Sequence, residues 1–269
     1  MTPEKDDGFG ALKRYIEQNL KIQCSNYKED YIKRRLLSRM RSTNTSAYDE
    51  YLKYLREHEP EHDVLRKALT INVTEFFRDT DVYDLIRKEI FPALFKGRKT
   101  IRIWCAGCST GEEPYSLAMI LSDMMAADKS ISGQIFATDI DEVVLKKAKD
   151  GIYSEKSMGK LSETQMHRHF TKLADGTYQV KPHLQSLIRF RPHDLMSGQP
   201  ISRFLDMISC RNVTIYFTEK QKDELAKTFY TALVPGGYYV MGKTEYLGRE
   251  VEGLFIPVNS IQKIYRKKE

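Results

Sequence analysis

The 269-residue sequence has no apolar run near the roughly 18 residues that a membrane-spanning helix needs; its best stretch, Tyr115 to Ala127, is broken by Asp123. The first ten residues carry Glu4, Asp6 and Asp7 and no apolar segment, so a secretory signal is not expected. Cysteine is scarce, at 4, and without an export signal these read as reduced thiols and not as a disulfide framework. With 9 proline and 15 glycine the chain is neither collagen-like nor of low complexity, and it has no internal repeat. A soluble, cytoplasmic protein of two domains is expected from 269 residues that are 41% apolar. The charge balance, 43 basic against 37 acidic residues or +6, is modest but clustered. Lys33, Arg34, Arg35, Arg39 and Arg41 fall between Tyr31 and Arg41 with no acid among them, and Arg266-Lys267-Lys268 stand near the end.

From residue 9 to 90 apolar residues recur at helical spacing: Leu12, Tyr15, Ile16 and Leu20, then Ile32, Leu36, Leu37 and Met40, then Tyr48, Tyr51, Leu52 and Leu55. Ser46 is the expected N-cap of the third helix, and Pro92 is expected to end the helical region. Residues 1–92 therefore read as an all-helical N-terminal domain. From Thr100 short apolar strands alternate with helices: strands at Ile101 to Cys105, Gln134 to Thr138, Leu187 to Phe190, Leu205 to Cys210 and Tyr238 to Met241, with helices at Glu112 to Met125, Asp141 to Lys149 and Glu219 to Leu233. That alternation predicts an α/β fold with a doubly wound parallel sheet over residues 93–269, ending in an antiparallel hairpin near Leu254 to Ile256 and Gln262 to Tyr265. Between 151 and 186 the alternation stalls, and Asp175-Gly176 reads as a hairpin turn, so a small β insert is expected there.

The first strand of a doubly wound sheet runs into the turn where ligands bind. Here that turn is rich in small residues, Ala106, Gly107, Ser109 and Gly111, and opens on Glu112 and Glu113. It lacks the Gly-x-Gly-x-x-Gly of dinucleotide binders and the Gly-Lys-Ser/Thr of phosphate loops. Two carboxylates at a helix N-terminus disfavour a phosphate and favour a cationic ligand, although they also suit the helix dipole alone. The second strand ends at Asp139, where an acid can take the two hydroxyls of an adenosine ribose, with Asp141 free to cap the next helix. The third ends at Asp194, which fits either an adenine amino group or an ordinary surface turn. Together these describe S-adenosylmethionine better than NAD.

Four motifs in order, Asn72-Val-Thr74-Glu-Phe-Phe-Arg78, Trp104-Cys-Ala-Gly-Cys-Ser-Thr-Gly-Glu-Glu113-Pro-Tyr-Ser, Ala137-Thr-Asp139-Ile-Asp141 and Cys210-Arg211-Asn212-Val-Thr-Ile-Tyr216-Phe217, resemble the CheR-type chemotaxis receptor glutamate methyltransferases across nearly the whole chain. The resemblance implies a class I S-adenosylmethionine-dependent methyltransferase with a Rossmann-like sheet behind an all-helical domain. It implies methyl transfer from S-adenosylmethionine to receptor glutamates, leaving S-adenosylhomocysteine. Carried over residue by residue, it gives Asn72, Thr74 and Arg78 to the cofactor pocket from the helical domain. Ala106 and Gly107 lie in the cofactor turn, Glu113 takes the methionyl amino group, Asp139 the ribose, and Asp194 with Leu195 the adenine edge. Arg211 and Asn212 line the floor, and Arg78 and Tyr216 stand nearest the chemistry. Two departures are visible: Cys105 and Ser109 occupy the acidic and second glycine places of the wider methyltransferase turn, and Asp194 stands where some members carry Asn.

A glutamate carboxylate, with a reference pKa of about 4.3, is already anionic at pH 7 and needs no general base. The basic helix is the expected docking face for acidic methylation helices of membrane chemoreceptors, through Arg34, Arg35 and Arg41 with Arg39 at the border. In the resembled family the insert can hold a receptor tether peptide; the short loop Leu173 to Thr177 argues against that here. A monomer with no nucleic-acid partner, no membrane insertion and no metal is expected. Three rivals remain: a thiol redox enzyme using Cys105 and Cys108, an RNA or other protein methyltransferase, and a non-catalytic module on the same fold.

Overall fold

The computed structural model describes residues 8–70 and 73–268, which divide into two compact units: residues up to 72 with 216–218, and residues 73–215 with 219–269. In the first unit four helices follow the apolar spacing: α1 (Phe9–Leu20), α2 (Glu29–Ser42), α3 (Tyr48–Glu57) and α4 (Pro60–Leu69). Their buried faces, led by Leu12, Ile16, Ile32, Leu36, Tyr51, Leu55 and Leu65, make one core. Residues 216–218 join this unit: Lys28 N donates to Tyr216 O (3.0 Å), Thr218 N to Asn26 O (3.1 Å), and the Tyr216 ring lies 4.7 Å from that of Tyr31. The expected cap at Ser46 is displaced. Ala47 is the N-cap of α3, and Ser46 instead donates its backbone N and its hydroxyl to Glu50 (2.8 Å each).

The second unit runs α5 (Thr80–Leu85), α6 (Phe91–Lys96), β1 (Thr100–Ala106), α7 (Glu112–Ala127), β2 (Ser132–Asp139), α8 (Glu142–Asp150), β3 (Ile152–Tyr153), α9 (Glu163–His169), β4 (Phe170–Lys172), β5 (Tyr178–Val180), α10 (Pro182–Gln185), β6 (Ile188–Pro192), β7 (Leu205–Cys210), α11 (Glu219–Ala232), β8 (Leu233–Met241), β9 (Phe255–Asn259) and β10 (Ile264–Lys267). Residues 80–96 therefore belong with the sheet, not with the helical domain, because Val82, Tyr83, Ile86, Ile90 and Phe91 share the core of β1 and α7. Pro92 does not stop them. A π turn over Ile86–Ile90 resets the helix, and Pro92 falls at the start of α6, where no N–H is required.

The main sheet has the order β6-β2-β1-β7-β8-β10-β9, parallel except at β10, which is antiparallel to both β8 and β9. The terminal hairpin thus completes the sheet. β1 and β7 are neighbours, and the connections turn outward in opposite directions from them, so the crevice for a ligand opens at their carboxyl ends. β7 is buried at every position, with Asp206 and Ser209 covered along with its apolar residues. The insert is a three-stranded antiparallel sheet, β3-β5-β4, whose β4–β5 turn is closed by Leu173 N to Thr177 O (2.8 Å) with Gly176 at positive φ. None of the described helices is long and apolar enough to cross a membrane.

Candidate functional site

The turn after β1 is built for close approach. Gly107 has φ +81°, and a Cβ there would meet Val213 Cγ2 at 2.6 Å, so the turns following β1 and β7 touch through a position only glycine fills. The backbone N–H groups of Gly107 and Cys108 both donate to Thr138 O at the end of β2 (2.8 Å each), and Ala106 is buried beside them. Asp139 follows, buried; its Oδ2 accepts from Ser109 N (2.8 Å) and its Oδ1 from Asp141 N (3.0 Å). Burial pushes the Asp139 carboxyl up in pKa, and the N–H donors hold it back. Asp141 caps α8 through Val143 N (2.9 Å), as its place in the sequence suggests.

Arg211, at the end of β7, is the centre of the cluster. Its Nη2 donates to Arg78 O and Asp79 Oδ2 (2.8 Å each), and its Nη1 reaches Tyr83 Oη (3.3 Å) and Glu113 Oε2 (3.5 Å). One buried guanidinium thus fastens the segment before α5 and faces the start of α7. That segment is tightly wound: Phe77 and Asp79 both have positive φ, Phe77 N donates to Ser116 Oγ (2.9 Å), and Arg78 Nη1 closes its own loop on Val73 O (3.0 Å). Burial raises the Glu113 pKa, and the Arg211 charge opposes the rise. Asn212 is also left-handed (φ 60°). Its Oδ1 and Arg211 Nε are buried with no hydrogen-bond partner among the described residues.

The sheet unit therefore gathers Arg78, Ala106, Gly107, Glu113, Asp139, Arg211 and Asn212 around the ends of three strands, β1, β2 and β7, with Thr74 half-buried nearby in sequence. Thr74 and Arg78 come from this unit and not from the helical domain, because their segment is tied to Arg211 and Ser116. Asn72 lies outside the described residues. Asp194 is exposed, and its Oδ1 caps the turn Leu195–Ser197 through Met196 N (2.9 Å), the ordinary role. Leu195 lines a cavity of about 280 Å³ with Met196, Lys220, Leu225 and Thr228. Tyr216 packs within the helical unit on Tyr31.

Two of the docking arginines are otherwise engaged. Arg39 makes a two-pronged pair with Glu61 (Nε–Oε1 and Nη2–Oε2, 2.8 Å each); Glu61 is 6% exposed and also accepts from Tyr51 Oη (2.7 Å), so Arg39 clamps α2 to α4. Arg35 lies over the Tyr31 ring, 5.5 Å from its centroid. Arg34 and Arg41 are exposed, and Leu37, expected on the buried side, is 42% exposed between them. Sequence reasoning also passed over Tyr83, Asp79 and Glu245. Burial, with Glu113 nearby, pushes the Cys105 and Cys108 thiols well above their ordinary pKa, which removes the thiolate a redox enzyme needs.

Acids at the start of α7 and the end of β2, on either side of a turn that brings backbone close to the crevice, suit an adenosine bearing an ammonium group more than a pyrophosphate. With this strand order they define the S-adenosylmethionine-dependent methyltransferases of the doubly wound class. Comparison with known proteins agrees and goes further: residues 72–264 match the family described as CheR methyltransferase, SAM binding domain, and residues 7–70 that described as CheR methyltransferase, all-alpha domain. The chain belongs to the CheR methyltransferase family, and S-adenosylmethionine is its cofactor. It is 35% identical over 251 residues to the chemotaxis protein methyltransferase of Listeria monocytogenes, covering 92% of this chain and 93% of that one. With the corresponding protein of Escherichia coli it shares 32% over 246 residues, 89% of this chain and 84% of the other.

Proposed function

We propose that this protein methylates glutamate side chains of chemoreceptors, forming methyl esters. The observation that carries the choice of a carboxylate is the makeup of the Arg211 cluster. Its ionisable groups, Glu113, Asp79, Arg78 and Tyr83, include no histidine, and among the described residues no histidine side chain is hydrogen-bonded to any of them. An amine or hydroxyl substrate would need a base to take its proton, whereas a glutamate arrives ionised. The relatives, named as chemotaxis protein methyltransferases, support chemoreceptors as the source of that glutamate.

When bound, S-adenosylmethionine supplies a sulfonium methyl that a carboxylate oxygen takes by displacement, the C–S electrons returning to sulfur and no proton moving. The residues present fit it. Glu113 and the unused Oδ1 of Asn212 suit its ammonium group, and Arg211 Nε with the fork of Arg78 suits its carboxylate. Asp139 retains lone pairs for ribose hydroxyls after serving Ser109 and Asp141, with Thr74 beside the Arg78 segment and Leu195 at the adenine edge. The work left to the protein is alignment and exclusion of water.

For the receptor, the exposed stripe Arg34, Leu37, Ser38 and Arg41 on α2 offers an apolar contact between two positive charges, a match for an acidic amphipathic helix. Labelled S-adenosylmethionine incubated with receptor-bearing membranes should leave a label that alkali releases as volatile methanol. An alkali-stable label would refute the ester. Reversing Arg34 and Arg41 to Glu should raise the receptor KM several-fold and leave S-adenosylhomocysteine affinity unchanged; an unchanged KM would refute the docking stripe.

A further inference from the structure

Glu245 lies just beyond β8, only 3% exposed, in a stretch where the sequence shows no motif. Five donors converge on its carboxylate. Oε1 accepts from Val213 N (3.0 Å), Thr214 N (2.7 Å) and Thr214 Oγ1 (2.7 Å), while Oε2 accepts from Asn212 N (2.8 Å) and Gly242 N (2.6 Å). Three successive backbone N–H groups pointing at one anion form a nest, a concavity that in other proteins receives a phosphate. Here the anion is the protein's own.

The nest starts at Asn212, whose left-handed backbone is one an asparagine tolerates better than most residues but does not adopt by default, so an outside hold is what selects it. Glu245 supplies it. Its fit is close on the other side too, because a Cβ on Gly242 would stand 2.7 Å from Oε2 and 2.8 Å from Asn212 N. The loop so held carries Arg211, which fastens the Arg78 segment, and Val213, against which Gly107 of the β1 turn packs. Arg211 Nε and Asn212 Oδ1 are kept buried with no partner among the described residues, the state of a site arranged in advance for its ligand.

We infer that Glu245 is a positioning residue for cofactor binding: by filling the 212–214 nest it sets the backbone of the β7 loop so that Arg211 and Asn212 face the crevice. This rests on the reading that Arg211 and Asn212 serve S-adenosylmethionine. Replacing the carboxylate by an amide, Glu245→Gln, turns one acceptor into a donor facing N–H groups, so the nest cannot close.

The experiment measures S-adenosylhomocysteine affinity by calorimetry and the unfolding midpoint for the wild type, Glu245→Gln, Glu245→Asp, Thr214→Val and, as a control, Asp206→Asn. Asp206 is another buried carboxylate on a strand end, holding Arg102 N (2.6 Å) away from this loop. Glu245→Gln should weaken binding tenfold or more, Thr214→Val two- to fivefold through its single lost donor, and Glu245→Asp should fall between Glu245→Gln and wild type. The control should lose midpoint without losing affinity. Steady-state turnover should show the loss in cofactor KM, with receptor KM unmoved. If Glu245→Gln does not fold, Thr214→Val and Glu245→Asp decide. Affinity unchanged in the folded Glu245 and Thr214 variants, or lost equally in Asp206→Asn at a matched midpoint, overturns the inference. Failure of wild type to bind S-adenosylhomocysteine would instead overturn the site assignment.

Discussion

Arg211 allows a quantitative test because one side chain fastens two segments more than 130 residues apart in sequence. In Arg211→Lys the positive charge survives, but an ammonium cannot donate to Arg78 O and Asp79 Oδ2, reach Tyr83 Oη and face Glu113 in one plane. A hydrogen bond to a charged partner contributes about 1.5 to 3 kcal/mol and one to a neutral carbonyl about 0.5 to 1.5. Losing the Nη2 pair while keeping some attraction to one carboxylate should therefore cost about 2 to 4 kcal/mol. Part of the loss is offset because Asp79 and Phe77 sit at positive φ and relax once released. Asp79→Asn removes the same contact from the other side. In a double-mutant cycle read by urea unfolding at constant m-value, the two changes should therefore couple by about 1 to 3 kcal/mol. S-adenosylhomocysteine affinity should fall in Arg211→Lys as the Arg78 loop loosens. If the single costs add to within about 0.5 kcal/mol, Arg211 does not hold that loop, and its part in the site is wrong.

Gly107→Ala places a methyl 2.6 Å from Val213 Cγ2 at φ +81°, so stability should drop by about 2 to 4 kcal/mol with cofactor affinity; a loss under about 1 kcal/mol in thermal unfolding would contradict the close approach. Arg39→Lys should destabilise the protein by about 1.5 to 3 kcal/mol in urea unfolding, through Glu61, and leave receptor KM alone; a raised KM at unchanged stability would return Arg39 to the docking face. His169 is buried in the insert, with Asp123 Oδ1 at 3.6 Å, His183 Nε2 at 3.1 Å and the charges of Arg168 and Lys181 around it, and burial lowers its pKa from 6.5 to about 4. Its neutral form is the one the fold accepts, so its contribution is complete above pH 6.5 and is lost as pH falls toward about 4, in total on the order of 3 kcal/mol. His169→Gln should flatten that part of the stability–pH curve, and an NMR titration of His169 near 6.5 would refute it.

What the sequence revealed depended on how far apart the interacting groups were. The central strands announce themselves because most of β1 and all of β7 are buried, so apolar residues crowd both despite Arg102 in one and Asp206 in the other. The β1 turn was legible because its small residues and acids are consecutive. Glu245 was not, since its partners are backbone N–H groups some thirty positions upstream, and any sequence has those. Arg39 misled for a related reason: its partner Glu61 lies 22 residues on, on another helix, so the charge run looked unrelieved. Leu37 was read as core from spacing alone, although the buried arc of α2 runs from Tyr31 through Ile32 and Leu36 to Met40 and leaves Leu37 outside it. Pro92 was read as a stop because a π turn leaves no composition signal.

The tie between residues 216–218 and the helical unit has a consequence for the order of synthesis. Helices α1 to α4 are complete once Thr70 has been made, yet the strand-like contact of Tyr27 with Phe217 and the ring packing of Tyr31 on Tyr216 wait for another 146 residues. At about 5 to 20 residues per second that is an interval of about 7 to 30 seconds. During it the nascent helical unit presents Tyr27 and Tyr31 without their late aromatic partners, a window in which a chaperone would find them.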